Sequence, residues 1–370
     1  MQKKIDFIDA LRGIAAFYVV IYHIGHVTWP RFNSPEITSP IINNGGSGVI
    51  LFFVLSAFTL CMSMDSRTHN EKNHVRNYFI RRFFRIAPLF YFILAVSIIR
   101  NIYIFNVVNT TDDIMNNMLF IFNFIPGKQG SIVWAGWTIG VEMAFYVAFP
   151  IIYKYSKSIL SSVLVLGIAL ALREVIKHLL INYMGDNQST MLFYNTTVIR
   201  HAPIFIIGMI TYNIYKDVIS SEWLTKWKGM AMVTVSICTF LTICYNNNFF
   251  EKNYDTNFIK AILFSMLIIG LLAFRPKVIV NKFSIFSGKI SYSMYLVHPT
   301  VVYLLSPVTW WIKKHIENEY VSYLLLCISI FCAVYAIGTV TYKTIEAFGN
   351  KSGKRIITYL ESRDVNQVRA

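Results

Sequence analysis

Charge is scarce in this chain of 370 residues: Asp, Glu, Lys and Arg make up 14% of it, where soluble domains carry about a quarter. So little charge cannot cover a soluble surface, which excludes a set of ordinary soluble domains. Cysteine is sparse too, and Cys61, Cys238, Cys244, Cys327 and Cys332 all sit inside apolar stretches. With no CxxC and no Cys/His ligand spacing, they support neither a disulfide framework nor a metal site. Internal repeats and low-complexity linkers are missing, which argues against a solenoid or a string of domains. No small-residue cleavage site follows the first apolar stretch, so that stretch is not expected to be a cleaved signal.

What is abundant is apolar surface, with 55% hydrophobic residues. Apolar stretches near 8–28, 47–64, 86–107, 136–153, 158–181, 198–215, 230–245, 258–274, 285–306 and 321–342 approach the roughly 20 residues a bilayer-spanning helix needs. The expectation is an all-α integral membrane protein of about ten transmembrane helices. One domain is expected over 1–345, with a basic tail at 346–370. The stretch 114–126, with Asn116, Asn117 and Asn123, is too short to span and reads as a re-entrant or interfacial piece.

The net charge of +15 would suggest nucleic acid in a soluble chain. Here the basic residues fall in short clusters between apolar stretches, which points to orientation in a membrane and away from nucleic acid. With the N-terminus in the cytoplasm, 24 of the 34 Lys and Arg, among them Lys3, Lys4 and Arg369, fall on that side. Six fall outside: Arg31, Lys128, Lys252, Lys260, Lys313 and Lys314. An even number of spans would leave both termini cytoplasmic.

Ionisable groups inside spans are costly and are functional candidates by default. His23 follows Arg12 by eleven residues, so both project from one helix face about 16.5 Å apart. Glu142 and Tyr146 are four apart on the fourth span, below Trp137. Arg200 and His201 open the sixth span, and His298 sits in the ninth. His23, Glu142, Arg200 and His298 compute to one half of the membrane, as a buried reaction site requires. Arg173, Glu174, Lys177 and His178 read as a local helix-surface network, and Arg100 as a side chain that snorkels outward. Arg82 and Arg85 offer two guanidinium forks suited to phosphate or carboxylate, at the end of a basic loop over 65–85 and the start of a helix.

Five segments taken in order resemble acyltransferase family 3, membrane proteins that O-acetylate bacterial surface polysaccharides and related glycans. Ile8-Asp9-Ala10-Leu11-Arg12-Gly13 followed by His23 is similar to the family's first-helix pattern. Gly48-Val49-Ile50-Leu51-Phe52-Phe53-Val54-Leu55-Ser56 resembles its second-helix signature, although Ala57 stands where Gly is common. Arg82-Phe83-Phe84-Arg85 resembles its Arg-x-x-Arg element. Trp137-Thr138-Ile139 with Glu142, Phe145 and Tyr146 resembles a stretch that usually has Ser for Thr138. Ser291-Tyr292-Ser293 through His298-Pro299 resembles a late segment.

The resemblance implies a multi-pass protein of the bacterial inner membrane with an acyl-CoA co-substrate, most often acetyl-CoA, and a glycan or glycolipid acceptor. The hydrolase-like domain of larger members is not expected. On that reading Arg12, Arg82 and Arg85 would hold the CoA phosphates. His23 would serve as general base with Glu142 orienting it, or would itself carry the acyl group. Tyr146, Arg200, His298 and Trp137 would support the acceptor or the site. The competing class is a transporter or flippase that uses the same buried groups for substrate or proton passage.

Overall fold

The computed structural model describes residues 6–369 apart from 33, 69 and 220. Lys3 and Lys4 lie outside the described residues, as does the side chain of Arg369. The described residues form helices and no strands. In order these are α1 (Asp6–Val27), α2 (Ser39–Asn43), α3 (Ser47–Thr68), α4 (His74–Phe105), α5 (Thr111–Met118), α6 (Trp137–Tyr155), α7 (Ile159–Met184) and α8 (Gln188–Asn195). There follow α9 (Val198–Ile219), α10 (Lys226–Tyr245), α11 (Asn247–Asn253), α12 (Thr256–Ala273), α13 (Lys282–Lys289), α14 (Ser291–Leu304), α15 (Ser306–His315), α16 (Glu319–Thr341) and α17 (Ala347–Arg369).

Eight helical stretches are long and apolar enough to cross a membrane. Two of the ten expected spans fall outside that set, and both carry candidate site residues. α6 has the length, but Glu142, Lys154 and its tyrosines lower its hydropathy. The stretch 285–306 is no single helix, because breaks at Ile290 and Leu305 isolate α14. Its 14 residues rise only about 21 Å, short of a hydrocarbon core of about 30 Å.

Other expectations are revised. The basic loop 65–85 is mostly helical, so Arg82 and Arg85 lie two turns inside α4. Arg100 does not snorkel: it is 4% exposed, and its guanidinium stacks 3.7 Å from the Trp134 ring centroid. Lys260 belongs to α12 and is 4% exposed, not in an outer loop. The expected tail is the helix α17. The stretch 114–126 holds α5 and a 3₁₀ turn at Phe122–Phe124. Its amides explain its polarity. Asn117 Oδ1 accepts from Ser131 Oγ at 2.6 Å and from the Ile132 amide at 3.1 Å. Asn123 Nδ2 donates to the carbonyls of Trp137 at 3.0 Å and Thr196 at 2.7 Å.

The chain divides into two compact units. Unit 1 comprises Met1–Phe58, Ser158–Val163 and Pro203–Gly338. Within it α1 packs on α13, α14 and α2, and α10 packs on α12. Lipid tails are as apolar as leucine, so close backbone approach, not water exclusion, drives such packing. Glycines permit it. A Cβ on Gly13 would lie 2.6 Å from the Ser284 carbonyl oxygen and 2.9 Å from the Gly288 amide. Gly229 and Gly270 face each other across α10 and α12, each a Cβ's breadth from the other's carbonyl.

Unit 2 comprises Thr59–Lys157, Leu164–Ala202 and Thr339–Ala370. Here α17 lies along α4, with Gly349 and Gly353 against Pro88 and Phe84. Polar contacts at one end hold the pair: Arg76 to Asp364 at 2.9 Å and Asn77 Nδ2 to Glu361 at 2.7 Å. Nearby, Glu71 accepts both Arg81 guanidinium nitrogens at 2.9 and 3.0 Å. Burial pushes the Glu71 carboxyl up, but hydrogen bonds from Arg81 and Asn77 and the Arg81 and Arg67 charges outweigh it, holding the group below the ordinary carboxylate range.

Two outcomes follow from this packing. Gly13→Ala should destabilise the protein by about 1–3 kcal/mol, because the clash is with backbone. Gly130→Ala, with no atom within 4 Å of the added Cβ, should be neutral; thermal unfolding in detergent compares them. For Glu71 the depressed carboxyl contributes stability above its unfolded pKa of about 4.3, and that contribution is lost as pH falls further. Glu71→Gln should therefore lower the melting temperature at pH 7 and shrink the difference between pH 7 and pH 3.5.

Candidate functional site

The histidines belong to unit 1. His23 sits inside α1, so its ring can turn back onto the carbonyl one turn earlier; Nδ1 lies 2.8 Å from the Val19 oxygen. A carbonyl only accepts, so Nδ1 carries the proton and Nε2 keeps a basic lone pair. His298, on α14, is fully buried. Its Nδ1 is 2.5 Å from the Tyr295 oxygen, and its Nε2 is 3.2 Å from His23 Nδ1. The same logic puts the His298 proton on Nδ1 and leaves Nε2 to accept. The His23 Nδ1–H is thus shared between the Val19 carbonyl and the His298 ring. The two rings meet edge to face, with centroids 4.7 Å apart.

Aromatic neighbours hold this pair. The Tyr22 ring meets His23 edge-on at 5.2 Å and stacks on His26 at 4.3 Å. Tyr295 lies 5.5 Å from the His298 ring and 5.9 Å from Phe52. Arg12 lies earlier on α1, 3.8 Å from Asp9 Oδ1.

The carboxylate and the paired arginines belong to unit 2. Glu142 accepts the hydroxyl of Tyr146, one turn along α6. Tyr146 is 4% exposed, and its carbonyl accepts Tyr78 Oη at 3.1 Å. The Arg82 guanidinium lies over both rings, 5.9 Å from the Tyr78 centroid and 5.8 Å from that of Tyr146. Its buried Nε makes no hydrogen bond among the described residues. The charges of Arg82 and Arg85 both act on the Tyr146 phenol. Trp137, at the start of α6, packs 5.6 Å from the His201 ring. Arg200 is half-buried in the first turn of α9.

Chemically, unit 1 presents an imidazole with a free basic nitrogen and a braced Nδ1–H. Unit 2 presents a guanidinium, two phenols and a carboxylate in one cluster. The structure brings His23 together with His298, and Tyr146 together with Glu142 and Arg82; of these, only the Glu142–Tyr146 pair was given by spacing along one helix. His23 Nδ1 meets the Val19 carbonyl and His298, and Glu142 meets the Tyr146 hydroxyl. Tyr78 and His26 were missed in the sequence. His26 was visible as a second imidazole three residues after His23. Tyr78 was visible too, four residues before Arg82 on the same helix face.

Comparison with known proteins places the chain in a family. A family model described as an acyltransferase domain matches residues 5–343. A protein named as an acetyltransferase in Acidianus two-tailed virus is 26% identical, over 83% of this chain and 87% of the viral one. The peptidoglycan O-acetyltransferase of Listeria monocytogenes is 22% identical over 83% of this chain. A protein named as an O-acetyltransferase in Staphylococcus aureus is 22% identical over 98% of it. The matches cover only 51% and 60% of those two longer bacterial proteins. No solved structure matches the chain. An all-helical membrane protein whose match to the acyltransferase model runs over nearly its whole length, this chain belongs to that family and is an acyltransferase.

Proposed function

We propose that the protein transfers an acyl group, most simply acetyl, from acyl-CoA to a hydroxyl of a glycan or lipid-linked sugar, with His23 as general base. The observation that carries this reading is the shared Nδ1–H of His23, bonded to the Val19 oxygen and to His298 Nε2. That bracing leaves Nε2 free to take a proton and stabilises the imidazolium that results, the part an orienting carboxylate plays in a hydrolytic triad.

The steps balance. Nε2 removes the hydroxyl proton as the acceptor oxygen bonds to the thioester carbonyl carbon. The tetrahedral adduct collapses with cleavage of the C–S bond, and the departing CoA thiolate takes the proton back from the imidazolium. Glu142, expected from the sequence to orient His23, is here given a supporting role through Tyr146 instead, alongside Arg200 and Trp137. Arg82 and Arg85, with Arg12, are proposed to hold the CoA phosphates. The partnerless Nε of Arg82 supports an anionic occupant, since a buried guanidinium donor is costly to leave unmet. The proposed setting is the bacterial inner membrane with both termini cytoplasmic, the donor entering from the cytoplasm and the acceptor from the opposite face.

Purified protein given radiolabelled acetyl-CoA and an oligosaccharide acceptor should release CoA and label the sugar. His23→Ala should lower that rate by about 10²–10⁴-fold while leaving the amount of folded protein unchanged. His298→Ala should lower kcat with little change in KM, since it removes a brace from the base and no substrate contact. A His23→Ala rate within about threefold of wild type would sink the base assignment.

For the donor side, Arg82→Ala and Arg85→Ala should raise the acyl-CoA concentration needed for half-maximal rate about tenfold or more, because phosphate contacts act mainly as binding energy. An unchanged dependence on acyl-CoA in both variants would remove these arginines from the donor site.

A further inference from the structure

Unit 1 contains an open cavity that this chemistry does not use. It measures about 620 Å³, within the roughly 300–1,000 Å³ of small-ligand sites. Its walls are α2, the end of α10 and the start of α11, and its lining includes Asn43, Asn44, Asn246, Asn247, Asn248 and Tyr245. Five amides in one cavity are unusual, and most of their hydrogen-bonding capacity is unspent. Asn43 donates to Ser39 Oγ at 3.1 Å and Asn246 to the Thr242 carbonyl at 3.0 Å, so both keep their oxygens for a further donor. The buried Asn247 Oδ1 has no hydrogen-bond partner among the described residues.

Asn44 forms the floor, and its orientation is settled by Lys260. The buried ammonium donates to Asn44 Oδ1 at 2.7 Å. Lysine can only donate, so the amide oxygen must face it. One Asn44 N–H then reaches the Pro40 carbonyl at 3.1 Å, and the other remains for an occupant. A lysine buried in a membrane helix is costly and calls for a reason; holding this amide supplies one.

We infer that this cavity is a saccharide subsite for a sugar carrying hydroxyl and acetamido groups, next to the one acylated. Side-by-side amide donors and acceptors match vicinal hydroxyls, and they pair at two points with an acetamido group. The exposed Tyr245 and Phe249 rings offer apolar faces to the C–H face of a pyranose. No Lys or Arg lines the cavity and Glu36 does, which disfavours a phosphate headgroup. Position supports the link to acyl transfer. Tyr18 Oη donates to the Ile41 carbonyl at 2.6 Å, and a Cβ on Gly45 would lie 2.6 Å from both the Tyr18 carbonyl and Tyr22 Cβ. The cavity wall therefore rests on the same two turns of α1 that carry His23. The inference rests on the glycan-acceptor reading above.

The test uses the full chain in nanodiscs and the β-1,4-linked N-acetylglucosamine tetramer as probe, read by saturation-transfer NMR. The acetamido methyl and ring protons should receive saturation. The double variant Asn43→Ala/Asn248→Ala should raise the tetramer Kd about tenfold, or about 1.4 kcal/mol, with an unchanged melting temperature. His23→Ala should bind the tetramer as wild type does. Absent saturation, binding unaffected by the double variant, or displacement by glycerol 3-phosphate would overturn the subsite. Acyl transfer to the tetramer with an unchanged KM in the double variant would remove the subsite while leaving the acyltransferase reading intact. A tetramer that binds but is never acylated would do the reverse.

Discussion

Everything in this protein answers to the absence of water in the bilayer core, where a backbone or side-chain polar group without an internal partner costs several kcal/mol. Helices satisfy the backbone, and the buried side chains follow the same rule. Asn117 and Asn123 each bridge backbone groups of separate segments. Arg100 lies against Trp134, and Lys260 is matched to Asn44. His23 and His298 follow the same rule. Each ring satisfies one nitrogen on a neighbouring carbonyl of its own helix, and the only nitrogen left over is the basic one of His23.

The second constraint is that apolar surface alone cannot hold helices together in lipid. Small residues therefore stand wherever backbones must touch. Gly13 lets α1 meet α13, and Gly229 with Gly270 lets α10 meet α12. These contacts have a functional consequence. Gly13 follows Arg12 and shares a helix with His23, so the approach that fixes α1 against α13 also fixes the height of His23. Similarly, Gly349 and Gly353 dock α17 on the Phe84–Pro88 stretch of α4, the turn that carries Arg85.

The two spans that fail the length or hydropathy expected of a membrane helix, α6 and α14, are the ones that carry Glu142 and His298. A site needs polar groups and breaks in regular structure, and both lower the apolar signal. α14 is short because the chain turns at Ile290 and Leu305. That shortness leaves the fully buried His298 in the middle of a helix of only 14 residues. Departures from an ideal membrane helix thus coincide with two of the candidate site residues.

The sequence by itself determined the class: too little charge for a soluble surface, enough apolar stretches for a bundle, and the order of motifs that identifies an acyltransferase. It also brought out His23, Glu142 and Tyr146, because helical spacing of 3.6 residues is a local property that pairs residues along one helix. Pairings between helices lie beyond that period. Only tertiary structure brought His298 to within 3.2 Å of His23, placed Arg82 over Tyr146, and buried Lys260 against an asparagine 216 positions away in the chain. The Lys260 assignment shows the reason most plainly. On the sequence it is a basic residue near a helix start, indistinguishable from a loop lysine, since burial is decided by which other helices arrive beside it.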